Sequence, residues 1–127
     1  MSLVVYGTGA LLAAERSRRE IFALHDELLR VGVSPIVPTP VLGQAWRGGG
    51  RQGSLARILK GCEIRPLDER TARYGGELLG SSGTADIVDA AVVALALNLS
   101  ALVVTSDPGD LKHLTAAAGR PLALHAL

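Results

Sequence analysis

Four aspartates in the last third of the sequence have the type and spacing of a hard-cation site. Asp86 and Asp89 are three residues apart, and so are Asp107 and Asp110. On a helix that separation puts two side chains on one face. Asp89 is followed by AAVVALAL, with no polar group. An ionised carboxylate at the mouth of so apolar a helix is expensive to desolvate unless something positive meets it. Clustered carboxylate oxygens are what Mg2+ or Mn2+ takes. Each pair also has a plainer explanation. Asp86 is a first-turn acid that complements the helix dipole, and Asp107-Pro108 is an N-cap with proline at the first helical position. Asp89, a turn further in, fits that explanation least.

Two other stretches carry possible chemistry. LVVYGTGALLAAER, residues 3 to 16, reads as a strand, a glycine turn and a helix. Gly7-Thr8-Gly9 matches the first half of a dinucleotide fingerprint, but the third position is Leu12. The acid that should hold a ribose about 20 positions on falls at Asp26 or Glu27, inside a helical pattern and not at a strand end. A nucleotide site is therefore the weaker reading of this turn. Residues 28 to 62 contain no acid, yet include Arg30, Arg47, Arg51, Arg57 and Lys60. Arg47, Arg51, Arg57 and Lys60 suit the phosphates of RNA without selecting its sequence; a solvated helix face and loop is the bland alternative.

The whole-chain properties narrow the field. A length of 127 residues fits one domain, 1–127, with one site. The net charge of +1 conceals a gradient: residues 1 to 73 hold eleven Lys/Arg against seven Asp/Glu, residues 74 to 127 two against five. No run approaches the roughly 20 uncharged apolar residues of a membrane span, and no export signal is recognisable at the start, so the expected location is cytoplasmic, away from membranes. Cys62 is the only cysteine and reads as a small core residue. His25, His113 and His125 are scattered and read as surface or packing residues, Tyr6 as packing, and Trp46 as core or dimer contact.

The elements that must position these groups alternate. Apolar runs at 3 to 6, 34 to 38, 62 to 67 and 101 to 105, with PLALHAL at the end, read as strands. Helical patterns lie between them: from about residue 10, over 18 to 31, from Thr39-Pro40 through Trp46, over 54 to 60, from Asp68 to about Leu79, over 86 to 99, and from Asp107-Pro108. GSSGT, residues 80 to 84, reads as a flexible loop. Such alternation predicts a three-layer α/β/α sandwich with a central, mostly parallel sheet. Ligands of such sheets bind beyond the carboxyl ends of the strands, an edge shared by Gly7 to Gly9 and residues 106 to 110.

Taken in order, x-T-x-ALLA, T-P-V-L-x-Q, D-A-A-V-V-A-L-A and V-V-T-S-D-P-x-D-L resemble a PIN domain of the VapC toxin type, over nearly the whole chain. The resemblance implies an endoribonuclease that uses Mg2+ or Mn2+ held by four acidic positions. These fall on Gly7, Gln44, Asp89 with Asp86 beside it, and Asp107 with Asp110 close by. Two of the four acids are thus absent, and cleavage is expected to be impaired. Thr105 or Ser106 would orient a ligand or water, and the Gln44 carbonyl would meet a metal-bound water. The resemblance also implies RNA as substrate, a VapB-like antitoxin as partner, and a homodimer. On it, Gly7-Thr8-Gly9 is a metal-site turn that lacks its carboxylate. A degenerate, non-catalytic module that binds antitoxin or RNA is the alternative.

Overall fold

Val4 to Tyr6 have no polar atom to place until the tyrosine hydroxyl, and all three are buried. They form β1 (Val4–Tyr6), the middle strand of a five-stranded sheet in a computed structural model that describes residues 3–84 and 86–127. The other strands are β2 (Ile36–Pro38), β3 (Glu63–Arg65), β4 (Leu102–Thr105) and β5 (Leu124–Ala126). Their order is β3-β2-β1-β4-β5, and every pairing is parallel. Burial follows position: β1, β2 and β4 are apolar and covered, while β3 and β5 are solvent-facing edges.

The helices are α1 (Thr8–Glu15), α2 (Arg19–Arg30), α3 (Thr39–Ala45), α4 (Gly53–Leu59), α5 (Glu69–Ser82), α6 (Ile87–Leu99) and α7 (Lys112–Ala118), with 3-10 turns at Gly50–Gln52 and Pro108–Leu111. Parallel strands require right-handed crossovers. The chain steps from β1 to β3 in one direction and from β1's other side to β5 in the reverse, so its helices cover both faces. The strand order therefore reverses between β1 and β4. The two are in register, with Tyr6 beside Val104, and the Gly7 amide donates to the Val104 carbonyl at 3.0 Å. Everything that leaves the ends of β1 and β4 emerges side by side.

Helix α6 is the pillar behind that edge. Residues 90 to 97 are all buried, as an all-round apolar helix requires. Helix α5 packs on it, and a Cβ at Gly75 would meet the Ala90 backbone at an ordinary contact distance of 3.5 Å. Helix α5 runs beyond the end expected from composition: Gly80 to Ser82 are helical, and Gly83, at φ 72°, turns the chain in a left-handed cap. Thr39 begins α3 as its sequence suggests, without capping it; its hydroxyl accepts from the Leu67 amide at 3.2 Å.

Beneath the other half of the sheet, Tyr6 and His25 form a buried pair: the hydroxyl lies 2.8 Å from Nδ1. The ring of His25 is wedged under Gly61, whose missing Cβ would fall 2.8 Å from Nε2. Burial holds the imidazole below its ordinary range, against the pull of nearby Asp26. The unfolded chain then takes up a proton that the folded chain refuses. Stability supplied by neutral His25 is complete above pH about 6.5 and falls as the pH drops below it. His25 should thus lower the urea midpoint between pH 8 and pH 5, and in the Asp89→Asn protein, where the opposing carboxylate is removed, His25→Gln should reduce that fall.

Candidate active site at the sheet edge

Where β1 and β4 end, a cavity of about 230 Å³ opens between the β1–α1 turn, α3, the start of α6 and the β4 turn. All four aspartates line it, as do Gly7 and Gln44. Asp89 lies 18 residues from Asp107 in sequence; α6 and β4 are joined by a tight reversal at Ser100, but the helix runs back along the sheet. The start of α6 therefore returns to the level at which β4 stops.

Two of the four carboxylates, those of Asp86 and Asp107, are fixed by local hydrogen bonds to the backbone. Asp86 caps α6, its Oδ1 accepting from the amides of Val88 and Asp89, both at 3.0 Å. Asp107 caps the following 3-10 turn, its Oδ1 accepting from Gly109 at 3.1 Å, while its own amide donates to Thr105 Oγ1 at 3.1 Å. Asp110 sits on that turn. In both capping residues one oxygen serves the backbone, so capping and ligand roles are compatible. Thr105 shapes the turn. Ser106 packs against the α carbon of Gly9, where an added Cβ would fall 2.0 Å from its Oγ.

Asp89 has no such cap to make. Burial raises its pKa to about 6, and Asp86, Asp110 and Asp107 push in the same direction. Among the described residues no lysine or arginine lines the cavity to offset them. The folded state therefore binds a proton more readily than the unfolded one. Ionising Asp89 costs nothing below pH about 4 and progressively more as the pH rises through about 6. With the shift discounted for solvent screening in this half-open position, Asp89→Asn should stabilise the metal-free protein by about 1 kcal/mol at pH 8 and by almost nothing at pH 4, measured by urea unfolding in EDTA.

The chemistry of the donor set fits a hard divalent cation: four carboxylates and an amide oxygen, with neither sulfur nor imidazole. Even so, no three Asp, Glu, His or Cys side chains among the described residues close into a ready-made metal centre. Mg2+ binds through one or two carboxylates and keeps several waters, so a loose carboxylate ring suits it better than a closed cage. Gly7 borders the same cavity without a side chain. Its backbone is extended, φ −81° and ψ 174°, and a Cβ there would meet only the Val104 carbonyl oxygen at 3.4 Å. A side chain is sterically allowed at that position.

Other expected site residues fare differently. Gln44 is present, but its Oε1 accepts from Thr8 Oγ1 at 2.8 Å. One lone pair of its carbonyl is thus taken, and its amide nitrogen is available to donate. That link joins residues 36 apart, and no local pattern announces it. The four cations expected to meet RNA, Arg47, Arg51, Arg57 and Lys60, do not border the cavity. Arg57 lies over the Phe22 ring at 4.5 Å and, with Lys60, borders a separate cleft between α2 and α4. Arg47 turns back on α3, donating to the carbonyls of Gly43 and Trp46 at 3.2 and 2.8 Å. Arg51 is exposed on the 3-10 turn. Helix α4 begins at Gly53 and swings the later cations towards α2, which divides what is one run in the sequence.

His113 and His125 are exposed, and His25 is buried. Trp46 is 42% exposed and so is no core residue. Burial pushes the Cys62 thiol up to about 12, an unreactive, half-buried group. The glycine turn also acquires a packing explanation, since Gly9 makes room for Ser106. A pyrophosphate against it would face four carboxylates. Gln52, which sequence reasoning passed over, is 3% exposed: its Oε1 accepts from the amides of Arg47 and Gly48, and its Nε2 donates to the Ala45 carbonyl. A lone glutamine just after three glycines is the only hint the sequence holds.

No protein-family model and no curated protein matches the chain. Solved structures do. The chain is similar to VapBC2 from Rickettsia felis, bound to a DNA fragment from its promoter, with 19% identity, 98% of each chain covered and a TM-score of 0.74. It is similar also to DNA-bound VapBC from Salmonella typhimurium, with 14% identity, 99% of this chain and 98% of that one covered, and a TM-score of 0.68. FitAcB from Neisseria gonorrhoeae is 17% identical, covers 96% of each chain and has a TM-score of 0.66. No single helix among the described residues is long and apolar enough to cross a membrane.

Proposed function

We propose that this chain, which has the PIN-type fold of those structures, is a VapC-type endoribonuclease scaffold that cleaves RNA phosphodiesters with Mg2+ or Mn2+ and is impaired by Gly7. One observation carries the reading: Asp86, Asp89, Asp107 and Asp110 meet in one cavity at the switch point of a parallel sheet, without a cation among the described lining residues. Asp89 and Asp107 would hold the metal, with Asp86 and Asp110 acting directly or through water. A divalent cation bound there supplies a water of lowered pKa and offsets charge on the phosphoryl oxygens.

The chain's own groups do the positioning. Thr105 fixes the Asp107 turn through the amide at residue 107, and Thr8 fixes Gln44, whose amide nitrogen can donate to a phosphate oxygen. Asp89, with a pKa of about 6 before a cation arrives, gives up its proton as the cation binds, so divalent affinity should rise with pH. The VapBC and FitAcB structures are complexes, which supports an antitoxin as partner; a homodimer belongs to the same reading.

The test restores the missing acid. Gly7→Asp and the parent protein are compared for cleavage of single-stranded RNA with Mg2+ and with EDTA. Mg2+-dependent cleavage by Gly7→Asp supports the proposal. If Gly7→Asp is inert with both Mg2+ and Mn2+, the nuclease reading fails and the fold serves as a binding module, a reading that the absence of acids at Gly7 and Gln44 favours.

A further inference from the structure

The cleft between α2 and α4 has a volume of about 310 Å³ and shares no lining residue with the acidic cavity. His25 lines it, although the residue is only 4% exposed. Its Nδ1 lies against the Tyr6 hydroxyl. Its Nε2 has no hydrogen-bond partner among the described residues and is not sealed from solvent, so it looks into the cleft. A Cβ at residue 61 would stand 2.8 Å from that nitrogen, and glycine leaves it uncovered.

The hydrogen on the ring can be placed. Tyr6 is fully buried, and burial lifts its hydroxyl far above the ordinary range, so the oxygen keeps its hydrogen. Its one partner among the described residues is His25 Nδ1. A buried hydroxyl that fails to donate pays the full cost of desolvation. Nδ1 is therefore the acceptor, and the neutral ring carries its hydrogen on Nε2. The cleft thus receives an N–H donor that is held from behind.

Two cations share this cleft. The Arg57 guanidinium lies over the Phe22 ring, a contact with the ring face that leaves its N–H groups free to donate. Neither Arg57 nor Lys60 pairs with an acid among the described residues, not even with Asp26 on the same lining. Two cations against one carboxylate leave a single positive charge in excess. Phe22 and Leu29 add apolar surface.

We propose that this cleft binds a small organic carboxylate with an apolar body. The carboxylate accepts from His25 Nε2–H and is met by Arg57 and Lys60, while the body lies against Phe22 and Leu29. The volume falls at the lower end of small-molecule sites, roughly 300 to 1,000 Å³, where a few placed polar groups beside apolar walls set the orientation. A cationic ligand would meet two like charges and an N–H donor. A dianion would outweigh the one positive charge in excess. The proposal goes beyond the nuclease reading and uses none of its residues as ligands.

The full chain, in EDTA at pH 8, is titrated with benzoate, with its neutral counterpart benzamide and with oligouridylate, and the histidine rings are followed by NMR. His25→Gln assigns the signals, and the exposed His113 and His125 serve as internal controls. The ring nitrogen shifts of the free protein should place the His25 hydrogen on Nε2; a hydrogen on Nδ1 overturns the proposal. Benzoate should then shift the His25 signals saturably, leave those of His113 and His125 in place, and act where benzamide does not. Arg57→Gln and, separately, Lys60→Gln, both exposed positions, should weaken benzoate binding by roughly tenfold. Asp26→Asn, which removes the opposing charge, should tighten it by about threefold. Unmoved His25 signals, an equal response to benzamide, a response to oligouridylate in place of benzoate, or unchanged affinity in both cation variants overturns the proposal. None of these outcomes alters the cleavage test of Gly7→Asp.

Discussion

Gly7→Asp is expected to raise Mg2+-dependent RNA cleavage by at least about 10-fold and up to about 100-fold, the range in which loss of a supporting metal-site group is usually felt. The substitution should cost the fold little. The backbone at residue 7 is extended, a Cβ there meets one carbonyl oxygen at 3.4 Å, and the position is the N-cap of α1, where no side chain now caps the helix. Aspartate is among the best N-caps. An unchanged melting temperature with rising cleavage would separate chemistry from stability. Adding Asp89→Asn to Gly7→Asp should return cleavage to background, because the central carboxylate of the cavity is then lost. Cleavage that survives Asp89→Asn would place the reaction elsewhere.

Gly9→Ala, two residues away, should behave in the opposite way. Its Cβ would lie 2.0 Å from Ser106 Oγ, 2.8 Å from Ser106 Cβ and 2.9 Å from the Ser106 amide nitrogen. Rotating the serine clears only the first of these. The backbone of the β4 turn has to retreat from α1, and overpacking of this kind costs about 3 kcal/mol. For a chain of this size that corresponds to a fall in Tm of roughly 10 °C. Ser106→Gly in the same chain should recover part of the loss, since the two residues share one contact. If Gly9→Ala melts within about 2 °C of the parent protein, the turn and β4 are not packed as described. The contrast between the two glycines gives the motif its physical meaning: Gly9 is required by its neighbour, whereas Gly7 is merely permitted.

How far these features were legible depends on whether their cause is local. The apolar helix α6 and the short valine-rich strands are visible in the sequence because burial on all sides leaves no polar period. The carboxyl-edge rule then brings Asp89 and Asp107 together despite their separation, since parallel strands all end on one side. The Asp107 cap was legible, since it accepts the Gly109 amide as expected; Asp86, read as a first-turn acid, is instead the N-cap of α6, and Asp89 is the acid of its first turn. Gly80 to Ser82 misled because their composition suits a loop, while the helix runs on through them to the left-handed cap at Gly83. The cations misled for a related reason. Arg47 and Arg57 are near in sequence, but the 3-10 turn and α4 send them to different surfaces. Thr8 with Gln44, and Tyr6 with His25, are tertiary contacts that no periodicity encodes.

The Gln52 side chain reaches across three glycines to hold the amides of Arg47 and Gly48 and the carbonyl of Ala45. Glycine-rich connections ordinarily wander through many conformers and must surrender them on association, an entropic toll that weakens binding. Here that freedom is relinquished when the chain folds, so the turn after Trp46 keeps a single course despite its three glycines.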